Sequence, residues 1–329
     1  MVERVLIVGF GSIGKRHLAC LRRLLPGASA TVLRRPGGEP VEGAATVHSL
    51  AEALAARPEA AIVANPAPHH VETALSLARE GIHLLVEKPL SDRIEGVAEL
   101  IAECRSRRLV LQVGYCLRFE PSLAAFKQAV AAGTIGRLLH LKAEVGQYLP
   151  DWRPGTDYRQ GVSARADLGG GALLELSHEI DVLCWLGGAV TGVTARLTGL
   201  GDLEMDAEDS ADLLLDFRDQ LSGTLHMDML QRTPVRTCKA VGTAGTLLWD
   251  GIQRETRAYR VKDGKGAWEV IHAGRDSAPD TMYMEQLRHF LACIATGGRP
   301  LVGGEEGLRV VEIVAAARRS ARDGQRVTP

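Results

Sequence analysis

The stretch Val5-Leu-Ile-Val8-Gly9-Phe10-Gly11-Ser12-Ile13-Gly14 decides how the chain is read. Val5–Val8 is an unbroken apolar run of strand length, the pattern of a strand buried on both faces. Ile13, His17, Leu18, Leu21 and Leu25 then recur at the spacing of one helix face. Between strand and helix lies GxGxxG. Its first glycine permits a tight turn, its second lets a pyrophosphate approach the backbone, and its third lets helix pack on strand. The helix N-terminus faces the anion. A glycine turn that holds nothing is the bland alternative, but placement at the first strand–helix junction of an alternating chain favours a dinucleotide loop. Gly9 to Lys15 also fits GxxxxGK of a nucleoside-triphosphate loop. That chemistry needs a Ser or Thr next to hold magnesium, and the next residue is Arg16.

About twenty residues beyond such a loop, an acidic side chain usually receives the ribose 2′-hydroxyl of NAD. Here the place reads Leu33-Arg34-Arg35-Pro36. Two guanidinium groups suit a 2′-phosphate, which a carboxylate would repel. The sequence therefore predicts NADP(H) ahead of NAD(H), with a solvated basic strand end as the plainer reading.

Outward from the loop, strand-like and helix-like segments alternate. Strands are expected at Thr31–Leu33, Ala60–Ala64, His83–Glu87 and Leu109–Val113, with helices from a capping box at Ser49–Glu52, over His70–Arg79 and over Ile94–Cys104. Parallel strands joined by crossover helices follow from that rhythm. After about Glu120 the rhythm changes. A helix over Ser122–Ala132 precedes longer, half-polar strands at Leu138–Tyr148, Val193–Thr198, Ala211–Phe217, Gly223–Met229 and Thr237–Val241. Their alternation suits a sheet with one wet face. One helix around Gly170–Trp185 interrupts them, and helices at Met282–Ala295 and Glu305–Arg322 close the chain. The expected fold is α/β: a doubly wound parallel sheet over residues 1–120, then an α+β domain over 121–329 with an open, mainly antiparallel sheet.

Composition narrows the function. The 329 residues are 46% hydrophobic, and 39 basic against 40 acidic side chains leave a net charge of −1. Nucleic acid and anionic membranes normally require a basic excess, so neither is expected as a partner. No apolar run is long enough to span a bilayer, and the N-terminal residues lack the pattern of a signal peptide, which predicts a cytoplasmic protein. Six scattered cysteines without a CxxC pair read as buried thiols, and no metal site is expected.

The strand ending Glu87-Lys88-Pro89 places a lysine beyond the carboxyl end of a parallel strand, where open α/β sheets bind ligands. An ammonium there can stabilise negative charge on an alcohol or carbonyl oxygen. With this segment the chain resembles the glucose–fructose oxidoreductase/inositol dehydrogenase/rhizopine catabolism (Gfo/Idh/MocA) family. Asn65-Pro66-Ala-Pro-His69-His70 looks like its TPNxxH loop, with Asn65 for Thr and Ala67 for Asn. Gly114-Tyr-Cys-Leu-Arg118-Phe-Glu-Pro121 looks like GYxxRxxP, and Gly169–Gly171 followed by His178-Glu-Ile-Asp181 looks like GGG…HxxD. Gly242-Thr-Ala-Gly-Thr246 looks like GTxGT.

The resemblance implies a Rossmann domain, a nicotinamide cofactor and hydride transfer at a secondary alcohol or ketone of a sugar, sugar derivative or cyclitol. It assigns Lys88 and His178 to catalysis and adds Asn65, Pro66, His70, Glu87, Lys88 and Arg118 to the cofactor site that the residues themselves give as Gly9, Phe10, Gly11, Ser12, Ile13, Gly14, Arg34 and Arg35. A histidine suits the proton transfer, since its ordinary pKa lies near neutrality. Many members carry an acid four residues before the histidine. Here Glu175 stands three before, where a continuous helix would bring it to the same face, and Asp181 is the other candidate to orient the ring. The loop Gln147-Tyr-Leu-Pro-Asp-Trp152-Arg153-Pro-Gly-Thr-Asp157-Tyr158-Arg159 gathers aromatic and guanidinium groups, making Trp152, Tyr158 and Arg159 candidates to hold substrate beside Lys88 and His178. Ordinary loop packing is the competing reading. The resemblance also implies a homo-dimer or homo-tetramer, and leaves two rivals: a glycoside hydrolase that retains its nucleotide, and a non-catalytic dinucleotide sensor.

Overall fold

The computed structural model describes residues 2–329 apart from 263–264, 275–277 and 279. Chain contacts group into two units, Met1–Cys116 with Asp280–Val311, and Leu117–Pro279 with Glu312–Pro329. The sequence predicts one boundary at residue 120, with everything beyond it in the second domain. In the structure, residues 280–311 group with the first unit instead.

The first unit alternates as expected: β1 (Arg4–Val8), α1 (Ser12–Leu24), β2 (Ser29–Leu33), β3 (Ala45–Val47), α2 (Leu50–Ala55), β4 (Ala60–Val63), α3 (His70–Arg79), β5 (His83–Val86), α4 (Val97–Ser106) and β6 (Leu111–Val113). The strands are all parallel, in the order β3-β2-β1-β4-β5-β6. Ser49 caps α2, its hydroxyl accepting the Glu52 N–H at 3.2 Å. The helix expected from Ile94 starts three residues later, because Gly96 adopts a left-handed conformation at its N-cap.

The second unit contains α5 (Pro121–Ala131), β7 (Leu138–Gly146), α6 (Ala172–Glu175), α7 (His178–Gly187), β8 (Val190–Thr198), β9 (Ser210–Phe217), β10 (Ser222–Asp228), β11 (Val235–Gly242), β12 (Gly245–Asp250), β13 (Glu255–Lys262) and β14 (Lys265–Ala273). They form a sheet of order β14-β13-β12-β11-β7-β10-β9-β8, antiparallel except for the β7–β10 pair. The alternation read from sequence holds on β9: Ala211, Leu213, Leu215 and Phe217 are buried, while Asp212, Leu214 and Asp216 are exposed. α5 and α7 pack on the sheet, and the Trp249 indole N–H donates to Ser122 Oγ at 2.8 Å.

The last helices are α8 (Thr281–Thr296) and α9 (Gly304–Asp323). α8 packs on α1 and sends Leu287, Phe290 and Cys293 into the core that holds Val5, Ile7, Leu18, Leu21, Val32, Ile62 and Leu85. Among the described residues no helix is long and apolar enough to cross a membrane.

Candidate active site

In the parallel sheet the strand order reverses at β1, which pairs β2 on one side and β4 on the other. Such a switch point opens a crevice beyond the strand carboxyl ends. The phosphate loop occupies it. Gly9 has φ +90°, and a Cβ there would lie 2.6 Å from the Ala64 carbonyl oxygen at the end of β4. A Cβ on Gly14 would lie 2.3 Å from the Gly9 carbonyl oxygen. Gly11 differs: a Cβ would meet nothing within 4 Å. Its bareness therefore serves no packing need of the chain and leaves space over the backbone. Gly11 caps α1 without a side-chain acceptor, and the first turn of α1 carries no acid. Open space over Gly11 and uncapped amides at the start of Ser12-Ile13-Gly14 fit a dinucleotide pyrophosphate.

At the end of β2, Arg34 is half-buried with its guanidinium 5.5 Å from the Phe10 ring centroid, and it donates to the Glu39 carbonyl. Arg35 is exposed. Asn65 and Pro66 follow β4, and the Asn65 amide donates to Thr73 Oγ1 at 3.0 Å.

The Glu87-Lys88-Pro89 segment leaves β5 with a cis peptide between Lys88 and Pro89. Lys88 is half-buried, whereas Glu87 is buried and lies 2.6 Å from Nε2 of His17 on α1. The other Glu87 oxygen accepts the Lys88 N–H at 3.2 Å. Gly114 gives this carboxylate room, since a Cβ there would stand 2.8 Å from Glu87 Oε2. His70, expected beside the cofactor, is buried with both ring nitrogens on backbone carbonyls: Nδ1 is 2.8 Å from Pro89 O and Nε2 is 2.7 Å from Asn65 O. Burial pushes the His70 pKa down, against the opposing pull of those carbonyls and of Glu87. The neighbouring His69 is exposed.

His17 is the residue that sequence reasoning missed. Periodicity placed it on the buried face of α1, which is correct, and a polar residue on that face was the available signal. Tyr283 of α8 stands edge-on to the His17 ring, with centroids 6.4 Å apart, and carries Arg16 over its own ring at 4.7 Å. Burial raises the Tyr283 pKa.

In the second unit, the single helix expected around Gly170–Trp185 is two. Leu176 (φ −100°, ψ 19°) separates α6 from α7, so Glu175 ends one helix and half-buried His178 starts the next. The continuous helix expected to carry Glu175 and His178 is interrupted between them, and Glu175 accepts the Ser163 hydroxyl at 2.7 Å. Asp181 is engaged by Arg118, whose Nε and Nη2 reach its two oxygens at 2.9 and 2.6 Å. Both are buried, and the Arg118 guanidinium also lies 5.3 Å from the Trp185 ring. Glu179, next to His178, accepts Arg236 at 2.7 Å.

The candidate substrate loop folds largely on itself. Trp152 donates its indole N–H to the Gln147 carbonyl at 3.0 Å, and Tyr158 Oη accepts the Glu204 N–H at 3.0 Å. Exposed Arg159 pairs with Asp157 at 2.7 Å and with Glu204 at 3.2 Å. All six cysteines are buried thiols, and the Cys104 pKa is pushed up to about 12 by burial. Among the described residues no group of three or more His, Cys, Asp or Glu is arranged to hold a metal.

Residues 3–115 match the family profile described as the oxidoreductase family with an NAD-binding Rossmann fold, and residues 123–248 match the GFO/IDH/MocA C-terminal domain. The chain belongs to the Gfo/Idh/MocA oxidoreductase family. It is 24% identical to scyllo-inositol 2-dehydrogenase (NAD(+)) of Bacillus subtilis, over 98% of this chain and 95% of that relative. It is 26% identical to myo-inositol 2-dehydrogenase of Thermotoga maritima, over 82% and 79%. Among solved structures, levoglucosan dehydrogenase in complex with NADH superposes with a TM-score of 0.87 at 20% identity, over 99% and 98% of the two chains. The WlbA dehydrogenase of Bordetella pertussis, in complex with NADH and UDP-GlcNAcA, superposes at 0.82 with 25% identity, over 100% and 99%. As a Gfo/Idh/MocA member, the chain is an oxidoreductase whose first unit is a dinucleotide-binding Rossmann sheet.

Proposed function

We propose that this oxidoreductase interconverts a secondary alcohol and a ketone on a cyclitol, sugar or sugar derivative. The carrying observation is the Gly9–Gly14 cradle at the switch point, where Gly11 is bare without any packing reason. The cradle of Gly9, Gly11 and Gly14 would hold a nicotinamide dinucleotide, which would supply or accept the hydride. Lys88, at the end of β5, donates a hydrogen bond from Nζ to the substrate oxygen and stabilises the negative charge that develops there. His178 takes the hydroxyl proton in the oxidative direction and returns it in the reductive one. Glu175, held by Ser163, and Asp181, held by Arg118, build the surroundings of the His178 end of α7. Substrate contacts are assigned to Trp152, Tyr158 and Arg159, on a loop held by its own hydrogen bonds and ion pairs.

For the cofactor we propose NADP(H), because Arg34 and Arg35 stand where an NAD site carries an acid. The Bacillus subtilis relative and both solved structures named above carry NAD(+) or NADH in their own names. Paired titration with NADPH and NADH, read by nicotinamide fluorescence, separates the two. NADPH binding about tenfold tighter supports the arginine pair. Tighter NADH binding returns Arg34 to packing on Phe10, and binding of neither overturns the dinucleotide reading. A screen of inositols and UDP-GlcNAcA by nicotinamide absorbance then tests the substrate class. We also propose a homo-dimer or homo-tetramer through the sheet face that exposes Leu214, and a monomer-sized particle in light scattering refutes it.

A further inference from the structure

We propose that His17 and His70 are positioning residues that fix Lys88 from both sides, one through the residue before it and one through the residue after it. The inference rests on the reading of Lys88 as the group that holds the substrate oxygen.

Consider first the side of Glu87. A buried carboxylate is costly unless paired. His17, fully buried on α1, supplies the partner at 2.6 Å across seventy residues of sequence. The second Glu87 oxygen takes the amide of Lys88 itself at 3.2 Å. The carboxylate thus ties the backbone of residue 88 to the helix that starts at the phosphate loop. Gly114 leaves the space that this carboxylate occupies, since its notional Cβ would stand 2.8 Å from Glu87 Oε2.

On the other side, His70 stands between the Pro89 and Asn65 carbonyls at 2.8 and 2.7 Å. Carbonyl oxygens only accept, so the ring donates to one of them when neutral and to both when it carries two protons. Carrying both protons, it bridges the residue after Lys88 to the segment that follows β4, the strand paired with β1 at the switch point; carrying one, it donates to one carbonyl and only packs against the other. Lys88 therefore stands between two buried clamps, each anchored on an element that borders the dinucleotide cradle. Neither histidine needs to touch substrate or cofactor to act in this way. Three of their four ring nitrogens, His17 Nε2 and both of His70, lie against Glu87, Pro89 and Asn65.

The test uses amide hydrogen exchange in the full-length protein, followed in peptides covering residues 84–91. His17→Leu and His70→Leu are expected to speed exchange in this segment about tenfold, the scale of one lost buried hydrogen bond. His17→Gln, which retains an N–H donor near the Nε2 position, should restore protection of the Lys88 amide. Val32→Ala, a core truncation on β2 of the same unit, serves as the control for a general loss of stability. Unchanged exchange in His17→Leu overturns the proposal. So does equal acceleration in Val32→Ala at a matched fall in Tm, or failure of His17→Gln to restore protection. Turnover distinguishes this failure from that of the underlying reading. If Lys88→Ala keeps its activity, the catalytic role of Lys88 falls. If Lys88→Ala is inactive while His17→Leu keeps its kcat, the positioning role falls alone.

Discussion

The glycines of the phosphate loop separate fold from function at single positions. Gly14 is small because the Gly9 carbonyl leaves no room, so Gly14→Ala should lower stability by about 1–3 kcal/mol, read as a fall in Tm. Gly11 is small although nothing crowds it. Gly11→Ala should leave Tm nearly unchanged while weakening dinucleotide affinity about tenfold or more in a fluorescence titration. Lys88→Ala should keep that affinity and lower turnover by about two to four orders of magnitude. The Arg118–Asp181 pair makes a different claim. Both partners are buried, so Asp181→Ala strands a guanidinium and should cost about 3–5 kcal/mol in denaturant unfolding. At this scale the sequence made the loop legible, since Gly9 and Gly14 follow from local steric rules and Gly11 from the approach of a ligand to the backbone. It hid the His17–Glu87 pair because periodicity reports which face a residue occupies and says nothing of a partner seventy positions away.

Among the elements, those with strong local signals were legible: β1, α3 and the alternating strand β9 lie within a residue or so of where the pattern put them. The strands β12 to β14 were not, since Gly245–Ala273 mixes charged residues with short apolar runs and β14 is largely exposed. The break between α6 and α7 escaped for the opposite reason. Its residues are good helix formers, and the interruption at Leu176 appears only in the folded backbone. The open sheet also carries a titrating contact. His226 on β10 lies 2.7 Å from Asp212 of β9 and 3.0 Å from Asp228, and pairs across the strands with Glu144 of β7. Burial lowers its pKa, but the two aspartates outweigh burial and the net shift is upward. A raised native pKa stabilises the fold fully below the ordinary imidazole value near 6.5, and the gain disappears as pH rises through the native value. The Tm difference between wild type and His226→Gln should therefore be largest near about pH 5.5 and shrink towards about pH 8.5. A difference independent of pH would show that the imidazole does not titrate against these carboxylates.

Across the whole molecule, the fold class was legible and the assignment of its last helices was not. Strand–helix alternation announces a parallel sheet, but an amphipathic helix carries no label for the sheet it will cover. α8 thus joins the first unit from the far end of the chain, contributing Leu287, Phe290 and Cys293 to the core around Val5 and Ile7. A fragment ending at residue 120 should lack that cover and show no cooperative thermal transition, whereas the full chain should unfold with a sharp one. The same discontinuity sets an order of events during synthesis. The first unit is complete only when residue 311 has left the ribosome, about 200 residues after Cys116. At 5–20 residues per second that is a wait on the order of ten to forty seconds. The half of the protein made first is thus the half finished late, and its exposed strands must be kept from aggregation until a helix translated near the end arrives to cover them.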